Sequence, residues 1–342
     1  MIEIFGTLGP ACQSPRQLEK MFFEGMTGIR LNMSHSGLRE SKEMIQGFHQ
    51  AARQAGVKPE FLIDMQGPEI RVGVLERPLK LTEGMPVLLM DPELAGRDMP
   101  ALTIPLPRHV LPLLGIGDHI LLDDGKLELS VTGLQPHAAA TVIRGGLLKG
   151  HKSIKVAGKY ITGPAITPQD RENIRLAKNY GVTALMQPFV TRGEELQEIR
   201  EELRKNHAGH IRIFAKIENR QGMEQIPDIL PYADVIVIAR GDLGNDMPLW
   251  QLPAAQKKLA GICAKEKKPF LVVTEMLASM AESPVPTRAE VSDIFHSILD
   301  GASAVMVTNE TAAGKYPVET IRYLKKTAEE AWAWKAMHHG LR

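Results

Sequence analysis

The segment Ala215-Lys216-Ile217-Glu218-Asn219 puts an ammonium and a carboxylate two residues apart, at the end of an apolar run from Ile211 to Ile217. On an extended strand alternate side chains share one face, so Lys216 and Glu218 point the same way. Burying charge is costly unless the charge is paired or holds a metal. The pair fits a metal carboxylate beside a fixed cation, and it fits a plain ion pair at a strand end equally well. A second stretch separates these readings. Val235 to Ala239 is continuously apolar and runs into Arg240-Gly241-Asp242-Leu243-Gly244. Again a carboxylate follows a buried strand, here between glycines whose backbone can approach a ligand closely. Two strands ending in acids, with Lys and Arg beside them, suit an oxygen-liganded divalent cation carrying a phosphate or a carboxylate. Asp242 alone also reads as a solvated turn acid; the set does not.

The elements that must position these groups follow from the rest of the chain. Its 342 residues suffice for a large core and more than one domain. A net charge of +1 gives no general pull toward nucleic acid or membrane. Two cysteines, Cys12 and Cys263, supply neither a disulfide framework nor zinc spacing. The start, Met1-Ile2-Glu3-Ile4-Phe5, has no basic region and no long apolar run, so no signal peptide is expected. No run reaches the roughly 20 apolar residues of a membrane span. A soluble cytoplasmic protein is expected.

Apolar runs of strand length alternate with helical patterns. Strands are expected at 2–7, 28–33 and 61–64, with helices near 15–24 and 38–55 between them. Ser14-Pro15 opens the first helix and Gly56 closes the second. From Pro68 to about Gly163 the texture changes. Prolines and glycines recur, with short β-like runs at 87–90, 119–122, 127–131 and 140–143. This reads as a small β-domain inserted after the third strand. Alternation then resumes, with strands at 184–189, 211–217, 235–239, 270–274 and 304–308. Helices are expected at 168–180, 193–206, 222–230, 253–266, 287–300 and 317–336. Eight βα units make a (β/α)8 TIM barrel of residues 1–67 and 164–342, with residues 68–163 as an inserted β-barrel lid. Such barrels carry their chemistry at strand C-terminal ends. Arg30, Asn32, Asp64, Lys216, Glu218, Asp242, Thr274 and Glu310 all lie there. An open doubly wound sheet gives no reason to collect polar groups at so many strand ends.

These segments resemble the pyruvate kinase family. The resemblance is carried by T-L-G-P-A at 7–11, R-L-N-M-S-H at 30–35, D-M-Q-G-P-E-I-R at 64–71 and D-D-G at 123–125. It continues in A-K-I-E-N at 215–219, A-R-G-D-L-G at 239–244, T-E-M-L-A-S-M at 274–280 and P-T-R-A-E-V-S-D at 286–293. The resemblance implies that Glu218 and Asp242 hold Mg²⁺ or Mn²⁺, and that Lys216 neutralises the phosphoryl group in flight. It gives Arg30 to the transferring phosphate and Thr274 to protonation of the enolate. Gly241 and Asp242 would offer N–H groups to the substrate carboxylate. Asn32, Ser34 and Asp64 match monovalent-cation ligands, with Met65 contributing through its backbone alone. Pro10, Asn32, His35, Arg71 and Lys152 fall where the nucleotide sits. Phosphoryl transfer needs this kind of positioning and charge neutralisation, with little covalent work for the protein.

Departures from the family pattern cluster around the cation and the nucleotide. Met65 and Gln66 stand where a Thr and a Lys are usual, and Pro188 where a Ser is usual. Glu275 replaces a Gln, which adds a negative charge near the expected pocket. In the strand-eight motif, Asn309 replaces a Gly and Ala313 the Lys that would touch the nucleotide. Glu69 is retained, which in the family accompanies potassium dependence. A K⁺ requirement with weakened affinity is therefore expected, tightened by Met65→Thr. The chain also stops where the family's C-terminal domain would begin. A homo-oligomer other than the family tetramer is expected, as a dimer through barrel helices without response to fructose bisphosphate. Trp332 and Trp334 read as helix packing, and His338 and His339 as a frayed end.

The implied reaction converts phosphoenolpyruvate and ADP to pyruvate and ATP. An alternative is a Mg²⁺-dependent lyase or decarboxylase acting on phosphoenolpyruvate, pyruvate or oxaloacetate through the same metal site. A third is a non-catalytic protein of the same fold, against which intact Arg30, Lys216, Glu218, Asp242 and Thr274 argue.

Overall fold

The computed structural model describes residues 2–34, 36–91, 102–123, 125–159, 161 and 163–338. The chain divides into two compact units, Met1–Gly67 with Ala165–Arg342, and Pro68–Pro164.

The first unit is a closed, all-parallel eight-stranded barrel. Its strands are β1 (Glu3–Thr7), β2 (Gly28–Asn32), β3 (Glu60–Asp64) and β4 (Ala184–Gln187). They continue as β5 (Arg212–Ile217), β6 (Val235–Ala239), β7 (Phe270–Val273) and β8 (Ala304–Met306). Each strand pairs with its sequence neighbours and β8 closes onto β1. Alternation along each strand divides the side chains into two apolar layers. Phe5, Leu62, Phe214, Val237, Leu271 and Met306 fill the barrel interior. Ile4, Ile29, Ile63, Ile213, Ile238 and Val272 face outward into the helix layer. The same parity, carried two residues further to Thr7, Asp64 and Lys216 and four to Glu218, sets these side chains above the inner apolar layer. Arg30 and Asn32 alternate with the outward Ile29 and Leu31, which sends them inward as well.

Carried two residues back, that parity builds the opposite end. Arg212 bonds to both Glu60 and Glu3, and its guanidinium lies 5.0 Å over the Phe214 ring. Burial, opposed by Arg212 and reinforced by Glu60, raises the Glu3 pKa. This cluster is partly exposed and therefore screened. Arg212→Met is expected to cost about 1 kcal/mol and lower the unfolding midpoint by roughly 2–4 °C. Turnover should be unchanged, because chemistry in such barrels sits at the other face. Thermal unfolding measured beside steady-state activity tests both halves, and altered turnover with an unmoved midpoint would contradict the assignment.

The helices are α1 (Pro15–Phe23), α2 (Lys42–Ala55), α3 (Pro168–Ala177), α4 (Gly193–Lys205), α5 (Arg220–Glu224) and α6 (Ile226–Ile229). They continue as α7 (Arg240–Asn245), α8 (Leu252–Lys265), α9 (Arg288–Leu299), α10 (Asn309–Ala312) and α11 (Pro317–Met337). Capping follows the sequence signals. Ser14 caps α1, and Thr167–Asp170 and Thr287–Glu290 form capping boxes on α3 and α9. Several element boundaries differ from expectation, and the helix expected at 168–180 ends at Ala177. Helix α2 begins at Lys42, because residues 37–41 form a turn whose Leu38 N–H donates to Asn173 Oδ1. The expected helix 222–230 is two helices, since Pro227 requires a first-turn position and Gln225 caps α5 in front of it. Strand β4 ends at Gln187, before Pro188, which has no N–H to give. Strand β8 ends at Met306, two residues short, where Thr308 becomes the N-cap of α10. On α11, Trp334 packs edge-on against Phe295 and stacks on His338, while Trp332 is half exposed. His339 lies outside the described residues.

The second unit is all-β. Its six-stranded sheet runs in the order Ile154–Val156, His119–Leu122, Leu127–Gly133, Ala138–Arg144, Pro86–Met90, Thr103–Pro105. Gly146–Leu148 and Leu79–Leu81 form a separate two-stranded ribbon. The described strands thus form an open sheet with a ribbon rather than a closed small barrel. Alternation buries Val87, Leu89, Ile120, Leu122, Leu129 and Val131 in one core.

Candidate active site

The C-terminal ends of the barrel strands surround a cavity of about 540 Å³. Its polar floor is the top layer set by strand parity. Arg30 donates from Nε and Nη2 to Asp64 Oδ2 at 2.9 and 2.6 Å, and its Nη1 lies 3.5 Å from Thr7 Oγ1. Lys216 Nζ lies 2.9 Å from Glu218 Oε1 and 3.5 Å from Asp64 Oδ2. Burial alone would raise the Asp64 pKa, but Lys216 and Arg30 bring it below the usual carboxylate value. Burial opposes charge on Lys216 too, and there Asp64 and Glu218 prevail and raise its pKa. For Glu218 burial wins. With repulsion from Asp242 and Asp64 added, it outweighs Lys216 and pushes the carboxyl up to about 8.

A carboxyl in that condition is relieved by a cation. Glu218 and Asp242 both line the cavity, and each repels the other's charge. Among the described residues no three His, Cys, Asp or Glu side chains converge as a metal cage. A divalent ion here would have two carboxylates, with waters or substrate oxygens completing its shell. Asp64 offers a further feature: its Oδ1 is buried with no hydrogen-bond partner. An orphaned anionic oxygen is what a monovalent cation would take. Asn32 also lines the cavity, and its Oδ1 accepts the Ser34 N–H at 3.0 Å. Met65 is different. Its side chain has outward parity and packs in the apolar layer between barrel and helices, 2% exposed, while its N–H donates to the Met186 carbonyl. A side-chain oxygen at position 65 would begin in apolar packing, not in the cavity.

Thr274 follows β7 and lines the cavity with φ of +74°. Its Oγ1 accepts the Gly241 N–H at 2.7 Å and donates to the Val273 carbonyl at 2.5 Å. The Gly241 N–H that the resemblance gives to substrate is thus already engaged, and a substrate gains it only by exchange with the hydroxyl. Glu275, next to Thr274, is exposed and is not among the cavity-lining residues. Glu310 is buried away from the cavity and accepts from Thr308 and from the Leu277 N–H. It holds the turn after β8.

Of the nucleotide candidates, Pro10 and Asn32 line the cavity. His35 lies outside the described residues. Arg71 and Lys152 belong to the second unit. There Arg71 bonds to Glu69 and to the His151 carbonyl, and Lys152 pairs with Asp123 at 2.8 Å. Asn309 lines the cavity, whereas Ala313 is exposed.

Sequence reasoning missed one anchor. The Phe189 N–H donates to Glu218 Oε2 at 2.8 Å, from a backbone with φ of +51°. A main-chain donor leaves no residue-type signal; only Pro188 before it marks an unusual strand end.

Residues 1–321 match the family model described as pyruvate kinase, barrel domain. The chain belongs to the pyruvate kinase family. It is 38% identical over 331 residues to the pyruvate kinase of Geobacillus stearothermophilus, a match covering 95% of this chain and 56% of that protein. It is 36% identical over 329 residues to that of Methylorubrum extorquens, covering 96% and 68%. For Thermotoga maritima the figures are 35% over 333 residues, 96% and 70%. The chain thus spans little more than half the length of some of these relatives. No helix among the described residues is long and apolar enough to cross a membrane.

Proposed function

We propose that this chain transfers the phosphoryl group of phosphoenolpyruvate to ADP, giving pyruvate and ATP. One observation carries the reading: Arg30, Asp64, Lys216, Glu218, Asp242 and Thr274 line a single cavity at the C-terminal face of the barrel. The P–O bond to the enolate oxygen breaks as a bond to the ADP β-phosphate oxygen forms, and the enolate then takes a proton at C3. Arg30 binds the phosphate, turning part of its guanidinium from Asp64 to do so. Lys216 sits where negative charge develops and neutralises it. Thr274 gives the proton once its hydroxyl leaves the Val273 carbonyl, and the proton is replaced from solvent. Glu218 and Asp242 would hold Mg²⁺ or Mn²⁺, which supplies charge neutralisation for the oxyacid and phosphate. Asp64 Oδ1 with Asn32, Ser34 and the Met65 backbone would hold K⁺. Steady-state pyruvate formation with and without ADP tests the reading, and absence of ADP-dependent pyruvate sinks it.

A second reading rests on the cation count. Among the described residues the cationic side chains lining the cavity are Arg30 and Lys216, both already ion-paired. Ala313 adds none. A nucleotide thus gains little charge support from the barrel, which favours a metal-dependent lyase or decarboxylase of the same oxyacids. Decarboxylation of oxaloacetate without any ADP-dependent reaction would support it.

For K⁺ we expect a surviving requirement. The burial of Met65 alters what its replacement should do. Met65→Thr exchanges core packing for a buried hydroxyl and should cost about 1–3 kcal/mol. Half-saturation by K⁺ should stay within about twofold, because the position acts through its backbone. Titration of KCl in tetramethylammonium buffer, beside thermal unfolding, reads both. Full activity without K⁺ would contradict the site, and a much tighter K⁺ response would restore a side-chain ligand role to position 65.

A further inference from the structure

Arg240 opens α7, and its side chain is only 11% exposed. Its Nη1 lies 2.7 and 2.6 Å from the two carboxylate oxygens of Asp293 on α9. Its Nε and Nη2 donate to the Thr274 carbonyl at 3.2 and 2.8 Å, and Nη2 also lies 3.0 Å from Met276 Sδ. The next residue, Gly241, holds the Thr274 hydroxyl. Two consecutive residues of one helical turn therefore grip Thr274 at its carbonyl and at its Oγ1. What they grip is strained. Thr274 and Glu275 have φ of +74° and +53°, and a β-branched residue enters that region only where its surroundings enforce it. A pair that merely tied α7 to α9 would need no bonds to the carbonyl of a strained residue on β7's exit. The planar fork of arginine meets a carboxylate and a carbonyl together, which a lysine cannot do.

We infer that Arg240, oriented by Asp293, is a positioning residue that fixes the Thr274 hydroxyl where the proposed reaction needs its proton donor. This rests on the proposed function, and the test separates the two. Pyruvate, ATP and Mg²⁺ in D₂O report proton transfer at C3 through loss of the methyl signal by NMR. A single turnover of phosphoenolpyruvate with ADP reports phosphoryl transfer as ATP formed. Arg240→Lys should slow exchange about 10- to 100-fold, part of what a placed general acid contributes, and slow ATP formation less than about threefold. Asp293→Asn keeps the Arg240 bonds to the carbonyl and should show a smaller effect of the same kind, so a folding failure of the first variant still leaves the role measurable. In a Thr274→Val background, Arg240→Lys should slow exchange no further, because the group it positions is gone. Equal loss in both assays, or a full further loss in the Thr274→Val background, overturns the role. A wild-type chain silent in both assays overturns the proposed reaction and this role with it.

Discussion

Glu218→Gln is expected to abolish most activity while leaving the metal-free fold almost untouched. The two effects separate because of the state of the carboxyl. Burial and the neighbouring acids raise the Glu218 pKa against the pull of Lys216, so without metal the carboxyl readily takes up a proton. Glutamine has the same shape and charge as the protonated form. Its carbonyl oxygen can still accept the Phe189 N–H that now reaches Oε2, at the loss of the Lys216 contact to Oε1. Lys216 keeps Asp64 as a partner. The metal-free unfolding midpoint should therefore move by no more than about 2 °C. Divalent binding is another matter. A neutral amide replaces one of two carboxylates in a site where, among the described residues, no third acid converges. We expect Mn²⁺ affinity to fall by at least about tenfold and kcat/KM by roughly 10³-fold or more, about 4 kcal/mol of transition-state stabilisation. Calorimetric titration with Mn²⁺, thermal unfolding in chelator, and steady-state kinetics test the three parts. Normal Mn²⁺ affinity would remove Glu218 from the metal site.

The barrel was legible because most of its strands lie in apolar runs that alternate with helical patterns, bounded by glycines, prolines or caps. The site was legible because polar residues at the ends of such runs keep the strand's parity. Lys216 and Glu218 continue the inward face of Phe214, and Asp64 continues that of Leu62. Parity also explains Met65, one residue on from Asp64 and therefore outward. Other features left weaker marks. The ribbon strands of the second unit, Leu79–Leu81 and Gly146–Leu148, are three residues each, too short for a period to appear. The Phe189 N–H is main chain. The engagement of Thr274 by Gly241 and Arg240 joins residues more than 30 apart. Arg240-Gly241-Asp242 looks like a turn by composition, yet it is the first turn of α7. Tertiary contacts, which the local pattern does not record, decide such cases.

Lys216→Met is expected to lower turnover far more than it changes the Michaelis constant. In the proposed reaction Arg30 meets the substrate phosphate in the ground state, and no hydrogen bond joins it to Lys216. Lys216 instead stands between Asp64 and Glu218 with its charge reinforced by both. Charge that spreads over the phosphoryl oxygens only as the bond breaks is then neutralised only in the transition state. Such a group should cost roughly 10³-fold in kcat, with KM for phosphoenolpyruvate within about fivefold. The fold also loses. Glu218 and Asp64 are both almost fully buried, and breaking a buried pair by removing one partner costs about 3 kcal/mol. Without the ammonium, Glu218 is protonated more readily still, so the assay must use saturating Mn²⁺ to isolate the chemical step. Lys216→Arg separates the two consequences. It restores a buried cation and most of the stability, but a planar guanidinium does not reproduce a compact point charge at Nζ, so turnover should stay low. A methionine variant with near-normal kcat, or one whose loss lies wholly in KM, would take Lys216 out of the transition state and leave it as an ion pair at a strand end.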